Sequence, residues 1–520
     1  MPLQGLRPPS HHSPFAASRA EAADGRLRRL PLTRPSRAAA SLHGAFSPAP
    51  GGRFSPRSGN RRGVVLVLSL QNRRWDQVEA DAGEGNGNGR PLKSADVATL
   101  GNLCVDIVLN VPTLPPAPRE ERKAYLERLS ASPPDERFWE AGGNCNLAIA
   151  ASRLGLNCIA LGHVGDEMYG RFLQSVLQKE GIGMVGMNED TKAAGQYSAL
   201  YETLLCWVLV DPFQRHGFCS RADFTQDPAF SWMKELTKTV QLAIKQSKIL
   251  FCNGYVFDEL SPDLIVSALD CAISAGTTVF FDPGPRGRSL STGTPEERRA
   301  LELYLKLSDV LLLTSDEAES LTGVKSPVLA GQELIRKGTR TKWVVIKMGA
   351  RGSILITKSS ISCAPAFKVS VLDTVGCGDS FTAAIAFGYL QNMPKVNTLA
   401  LANAVGAATA TGCGAGRNVA NLDKVLELLR LSNLNDDHQF WNDLLEGVLE
   451  MKEISILSRF FINGRNDHLS HVSVQKVMSE LIHKFKKEEC VFLKGSAQEH
   501  SWGNIDNHRN KLPEILDSGS

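Results

Sequence analysis

DTVGCGDSF, residues 373–381, sets two glycines and an aspartate directly ahead of FTAAIAFGYL (381–390), a run of small and apolar residues. The run reads as a buried helix, and a helix start leaves backbone N–H groups unpaired at the positive end of its dipole. Glycines let that backbone approach an anion with no Cβ in between. Gly376, Cys377 and Gly378 would then form a nest of donors around an oxygen-rich group, with Asp379 at its rim. A carboxylate beside a bound phosphate is repelled unless it has a proton to accept. The fitting task is general base, taking the proton of a hydroxyl as its oxygen attacks a phosphoryl group. Taken alone, the string suits an N-capping aspartate in a glycine turn equally well.

Outward from this stretch, short apolar segments alternate with helical ones. Strand-like runs are VATLGNLCVDIVLNV (97–111), CIALGHVGD (158–166), ILFCNGYVF (249–257), TTVFFDPG (277–284), DVLLLT (309–314) and KWVVIKMG (342–349). Helical patterns such as AIAASRLG (148–155), RFLQSVLQKEG (171–181) and DLIVSALDCAISAG (263–276) separate several of them. Repeated βαβ units predict an α/β fold with a mainly parallel central sheet and helices on both faces. SALYETLLCWVLVDPFQRHGFCS (198–220) instead alternates like exposed antiparallel strand and is expected to form a small β lid over a ligand cleft. Lid strands are expected around 105–125 and 195–220.

The 520 residues are 42% hydrophobic and 22% charged, and the net charge of +3 is too small to argue for nucleic acid. Residues 1–70 hold 11 arginines and no lysine against only Glu21 and Asp24, a composition expected of an organelle transit peptide. The Gly/Asn-rich stretch 79–95 places a linker over 71–96, followed by a catalytic domain over 97–430 and a C-terminal extension over 431–520. In that extension VSVQKVMSELIHKF (472–485) has Val474, Val477, Met478, Leu481, Ile482 and Phe485 at helical spacing. The apolar run VVLVLSL (64–70) is too short to span a bilayer, so a soluble protein with no membrane partner is expected. The 11 cysteines are dispersed without a CxxC pair, as expected of reduced thiols, and the histidines lack metal-ligand spacing. GIGMVG (181–186) matches G-x-G-x-x-G, but it follows a helix where a dinucleotide turn follows a strand, and no GxxxxGK[ST] loop occurs.

DTVGCGDSF with its helix resembles the C-terminal signature of the ribokinase/pfkB family of carbohydrate kinases. AGGNCNLAIAASRLG (141–155) resembles the N-terminal signature, and GNLCVDIV (101–108) resembles the family's first strand. DPGPR (282–286), EAESLTG (317–323), KMGARG (347–352) and LANAVGAATATG (401–412) follow in family order. The resemblance implies a ribokinase-like fold and transfer of the γ-phosphoryl group of Mg-ATP to a hydroxyl of a sugar, polyol or nucleoside. It implies Asp379 as catalytic base and the backbone of Gly376, Cys377 and Gly378 as anion hole. Asp106 and Asn146, with Gly142 and Gly143, would hold the acceptor's hydroxyls. Lys347, Gly349, Gly352 and Asn403 would line the nucleotide site. Glu317 would organise magnesium and phosphate through water, with Asp282 either a helper of the metal or a turn residue before proline. A monovalent cation and a homodimer formed through the lid are further expectations.

The chain departs from the family pattern at three places. Thr314 stands where an asparagine would supply an amide near the magnesium, and one residue fewer separates Gly143 from Asn146, which would reshape the acceptor pocket. Cys377 replaces the usual alanine of the anion hole. A thiol at a helix N-terminus is expected to have a lowered pKa and so to be open to oxidation, while the plainer reading is a side chain packed under the loop. In the lid, Trp207, Phe213 and Phe218 suit either a stacked nucleobase or cover for apolar surface, and Arg215, His216 and Arg221 keep a sugar-phosphate acceptor open. A second class of function is a kinase-like structural or regulatory partner in an organellar assembly, with catalysis secondary or absent. The compartment expected from composition is the chloroplast, with mitochondrion or cytosol as alternatives.

Overall fold

A corner at Gly101 divides what reads as one strand into two that belong to different sheets. The structure, a computed structural model, describes residues 93–187, 202–213, 215–225, 227–446, 451–459 and 469–485. β1 (Ala95–Leu100) runs inside the large sheet and β2 (Leu103–Asn110) belongs to the lid. Gly101 makes the corner at φ +142°, and a Cβ there would lie 2.9 Å from Nδ2 of Asn144. Hydrophobic pattern cannot report such a break, because both halves are buried apolar strand.

The lid adds β3 (Trp139–Gly143), β6 (Leu204–Val210) and β7 (His216–Ser220), in the order β3-β2-β6-β7. Strands were expected around 105–125 and 195–220; of the first range only 105–110 is strand, and Arg119–Leu129 is a helix. Residues 195–201 lie outside the described residues. β3 was not expected, because its WEAGG sequence carries neither alternation nor β-branched residues. Its place comes from antiparallel pairing with β2, which sets Asp106 opposite Glu140 and Cys104 opposite Gly142.

The large sheet also contains β4 (Cys158–Gly162), β5 (Gly183–Gly186), β8 (Ser247–Asn253), β9 (Thr278–Asp282) and β10 (Val310–Thr314). It continues through β11 (Trp343–Lys347), β12 (Ser353–Ile356), β13 (Ser360–Ala364), β14 (Glu453–Ser458) and β15 (Leu469–Ser473). Among the described residues its order is β15-β14-β13-β12-β11-β10-β9-β8-β1-β4-β5. Only the pairings of β12 are antiparallel, where the connections are too short for a crossover. GIGMVG thus enters edge strand β5 and is no dinucleotide turn.

Helices cover both faces, as the alternation predicts. In β8, Ile249 and Phe251 join one core while Leu250 and Cys252 join the other. The first core includes residues of helices Asn144–Arg153, Cys377–Leu390 and Lys395–Ala410; the second packs Pro262–Ser274, Pro295–Leu307 and Pro327–Lys337. No described helix is long and apolar enough to cross a membrane.

Past residue 430 the sequence shows no α/β rhythm, yet β14 and β15 extend the sheet in parallel beside β13. The amphipathic helix expected over 472–485 forms over 474–485 and buries Val474, Val477, Met478, Leu481 and Phe485 in the first core. Phe485 stacks on Phe387 with centroids 6.0 Å apart, and Asn397 donates to Glu480 at 2.8 Å. This helix therefore braces the helix that carries Asp379 from behind.

Candidate active site

Gly376 caps the helix Cys377–Leu390 in the left-handed region (φ +75°), the conformation that turns successive backbone N–H groups toward one point. The helix interior, from Ser380 to Gly388, is buried, so its N-terminus is held rigidly at the mouth of the fold. Asp379 sits in its first turn, half-buried. Burial raises its pKa to about 6; the charge of Asp282 adds to the rise, while Lys347 and a side-chain hydrogen bond from Asn146 oppose it. That value suits a base working near neutrality, ionised in most molecules yet able to hold a proton.

Asn146 links Asp379 to the Gly416 turn, since its Oδ1 also accepts from the Gly416 backbone N–H at 2.8 Å. Asp106 lies on β2 with only 5% of its surface exposed. Burial raises its pKa to about 7; a Cys104 thiol hydrogen bond (3.4 Å) lowers it, and the charges of Asp379, Glu140 and Asp373 raise it. Gly142 gives that carboxylate its space: a Cβ would fall 2.1 Å from Oδ1 of Asp106. Gly143 is needed for its φ of +58°, with a Cβ otherwise 2.6 Å from the Asn102 carbonyl oxygen. The glycine pair thus shapes the pocket around Asp106.

A cleft of about 560 Å³ is lined by Lys347, Gly349, Gly352, Cys377, Gly378 and Asn403, so two of the expected anion-hole residues share one cavity with the expected nucleotide residues, while Gly376 is not part of its lining. Gly352, at φ +109°, lets the β11–β12 turn pack against the Ala364 carbonyl, whose oxygen a Cβ would approach to 2.1 Å. Asn403 is on the wall, but its amide is engaged: Nδ2 donates to the carbonyls of Ala364 (2.9 Å) and Pro365 (3.1 Å), and Oδ1 accepts from Ser353 (2.9 Å). Its part is to fix the wall.

Lys347 donates to Oδ2 of Asp282 at 2.6 Å. Burial lowers the Lys347 pKa, but Asp282 and Glu317 outweigh it and the net shift is upward, so the ammonium is firmly charged. Glu317 is raised by burial and by Asp282, with Lys347 and the Thr314 hydrogen bonds acting against this. Thr314 and Glu317 cap their helix reciprocally: the Thr314 N–H donates to Oε2 at 2.7 Å and the Glu317 N–H to Oγ1 at 3.3 Å. Threonine therefore keeps the helix cap that positions Glu317. Among the described residues no three His, Cys, Asp or Glu side chains form a cage for a metal. The carboxylates of Glu317 and Asp282 are hard oxygen donors of the kind magnesium takes while retaining waters and phosphate oxygens, so the donor set fits that ion.

Of the two readings of Cys377, the lowered pKa fails and the packed side chain holds. Burial, with the charges of Asp373 and Asp379, pushes its thiol up to about 12, so dipole stabilisation of a thiolate loses to desolvation and like charge. Its Sγ lies 3.9 Å from the Asp373 carbonyl, packed under the loop.

Sequence reasoning missed the partners of the loop. Asp373, 2% exposed, lies 2.7 Å from Nε2 of lid residue His216 and accepts from the Val375 (2.9 Å) and Gly414 (2.7 Å) N–H groups. Burial acts to raise its pKa, but these hydrogen bonds hold it low. Arg417 clasps Glu140 of the lid at 2.8 Å. Asp373 opens the quoted stretch and could have been singled out; its partners come from 157 and 41 residues away and leave no local signal. The lid cations are likewise spoken for: Arg215 pairs with Asp211 at 2.6 Å and Arg221 with Glu202 at 3.4 Å. Trp207 is 5% exposed, hence core, while Phe213 (78%) and Phe218 (47%) remain outside it.

A doubly covered, mostly parallel sheet with a β lid, a glycine-rich loop opening a buried helix and a half-buried aspartate beside it defines the ribokinase-like class. The description of the pfkB family carbohydrate kinase matches residues 95–421, more than half of the chain, and the chain belongs to that family. The chain is 29% identical over 327 residues to a 5-dehydro-2-deoxygluconokinase of Bacillus thuringiensis, covering 61% of this chain and 88% of that one. It is 25% identical to fructokinase-1 of Zea mays, covering 64% and 97%. A putative ribokinase II from E. coli, also solved in complex with ATP and magnesium, superposes with a TM-score of 0.51 at 19% identity, covering 65% of this chain and 99% of that one. The last likeness concerns the fold.

Proposed function

We propose that this carbohydrate kinase transfers the γ-phosphoryl group of ATP to a hydroxyl of a small sugar, polyol or nucleoside, with Asp379 as general base. The observation that carries the reading is the position of Asp379. It directly follows Gly378, which lines the cleft of about 560 Å³, is raised to about 6 and hydrogen-bonded by Asn146, and acts electrostatically on Asp106. Asp106, when ionised, can accept from two acceptor hydroxyls and orient a third toward Asp379. Asp379 takes that proton as the oxygen attacks, and the N–H groups of Gly376, Cys377 and Gly378 stabilise charge on the transferring group. Lys347, with Asp282 beside it, is placed to neutralise phosphate oxygens. Glu317 and Asp282 would hold magnesium, which would offset charge on the phosphates. The lid, clasped by His216 and Arg417, excludes water from the attack.

The test is acceptor-dependent ADP release by the full chain with Mg-ATP, beside Asp379→Asn. Turnover should fall by about a hundredfold or more, with the acceptor KM changing far less. Unchanged turnover in the variant would remove Asp379 from the mechanism. Three further parts of the reading have separate tests. A plastid address in residues 1–70 is supported by their arginine-rich, acid-poor composition and tested by the fate of a fused fluorescent protein. Association through the lid is supported by the exposed Phe213 and Phe218 and tested by light scattering. A monovalent cation is tested by exchanging sodium for potassium in the assay.

A further inference from the structure

Resting on the reading above, in which the cleft of about 560 Å³ takes ATP, we propose that the C-terminal extension is a working part of the nucleotide site. Asn435 and Phe440 are its positioning residues, and they hold the cleft in the shape that binds the nucleotide. Both lie beyond residues 95–421, the part of the chain that matches the kinase family. Asn435 is itself on the lining of the cleft.

Two separate segments contribute to that lining. One is the turn that holds Gly349, Ala350 and Gly352, and the other is the stretch after β13 that holds Ala366, Phe367 and Lys368. The extension is bonded to both. Residues 433–435 run antiparallel to the second segment: the Lys368 N–H donates to the Asn433 carbonyl at 2.8 Å, the Asn435 N–H donates to the Ala366 carbonyl at 2.7 Å, and Phe367 pairs with Leu434. Phe367 and Leu434 are each 4% exposed, so apolar burial seals the pairing. The Asn435 side chain reaches the first segment, its Nδ2 donating to the Ala350 carbonyl at 2.7 Å. Phe440, in the helix His438–Leu445, grips the same turn, with the Arg351 guanidinium 4.7 Å from its ring centroid. Phe440 and Leu444 also wall a second cavity, of about 520 Å³, that shares Thr314, Lys347 and Gly349 with the cleft.

The turn is the part of the cleft that most needs such a tie. Gly349 and Gly352 stand at φ +57° and +109°, and glycine backbone has more freedom to lose than any other. A loose glycine turn must be ordered when a nucleotide arrives, which weakens binding; a turn already pinned keeps its shape. Asn435 and Phe440 pin it from a segment that is anchored in the opposite wall.

Removing the whole extension would strip Val474, Val477 and Leu481 from the core, so the test uses point variants of the full chain. Mg-ATP binding without acceptor is measured by isothermal titration calorimetry, and the KM values for ATP and acceptor by ADP release. Asn435→Ala should weaken Mg-ATP binding about fivefold to tenfold and raise the KM for ATP to match, while kcat and the acceptor KM change far less. Asn435→Asp keeps the shape but turns a carboxylate oxygen toward the Ala350 carbonyl, so it should bind no better than the alanine variant. Phe440→Leu keeps apolar bulk, loses the cation–π contact and should weaken binding about threefold. If calorimetry shows Asn435→Ala to be unfolded, Phe440→Leu decides alone. Unaltered Mg-ATP binding in the folded variants overturns the inference and leaves the kinase reading standing. Weakened Mg-ATP binding in the variants of a chain that phosphorylates no acceptor upholds the inference and overturns the kinase reading.

Discussion

Replacing Asp106 by asparagine should move stability and activity in opposite directions. In the folded protein burial raises this carboxyl to about 7 from an ordinary 3.8, with Asp379, Glu140 and Asp373 adding to the rise. A raised carboxyl pKa means that the folded state holds the proton more tightly than the unfolded one. Below pH 3.8 both states are protonated and the group costs nothing; the cost grows as pH rises and is complete above about 7. Three pKa steps at about 1.4 kcal/mol each give at most about 4 kcal/mol of destabilisation in the wild-type protein at pH 8. Asparagine keeps the shape and removes the charge. The variant should therefore melt about 3–5 °C higher at pH 8, with the gain vanishing near pH 4. Differential scanning calorimetry of both proteins at the two pH values measures this, and ADP release by the same samples should show loss of acceptor-dependent turnover. A variant less stable at pH 8, or a gain independent of pH, would refute the premise that Asp106 is a buried, uncompensated charge.

For Asp379, raised to about 6, kcat should fall about tenfold between pH 7.5 and pH 5 as the base becomes protonated, read from initial rates at saturating ATP; a flat profile would assign the proton elsewhere. Phe485→Ala removes the ring stacked on Phe387 and should cost about 3–5 kcal/mol by urea unfolding, with activity lost in proportion to folding; an unchanged midpoint would mean the C-terminal helix braces nothing. Cys377, pushed up to about 12, should react with iodoacetamide at pH 7.5 far more slowly than the exposed Cys413, as peptide mass analysis would show; rapid labelling would restore the redox idea.

The short continuous apolar runs of strands such as 309–314 and the 3.6-residue pattern of helices such as 263–276 marked the α/β class in advance, because a sheet covered on both faces must be written as short apolar strands between amphipathic helices. The glycines and the aspartate of 373–381 announced an anion loop for an equally local reason: a positive φ and a missing Cβ are properties of single residues. Tertiary structure decided what those residues face. It split 97–111 between two sheets, paired WEAGG with β2, and stacked Phe485 behind the helix that carries Asp379. It set His216 on Asp373 and Arg417 on Glu140, and it decided between the two readings of Cys377, since desolvation depends on everything packed around a thiol. Charge matching and burial are sums over neighbours distant in sequence, and only the folded chain brings those neighbours together.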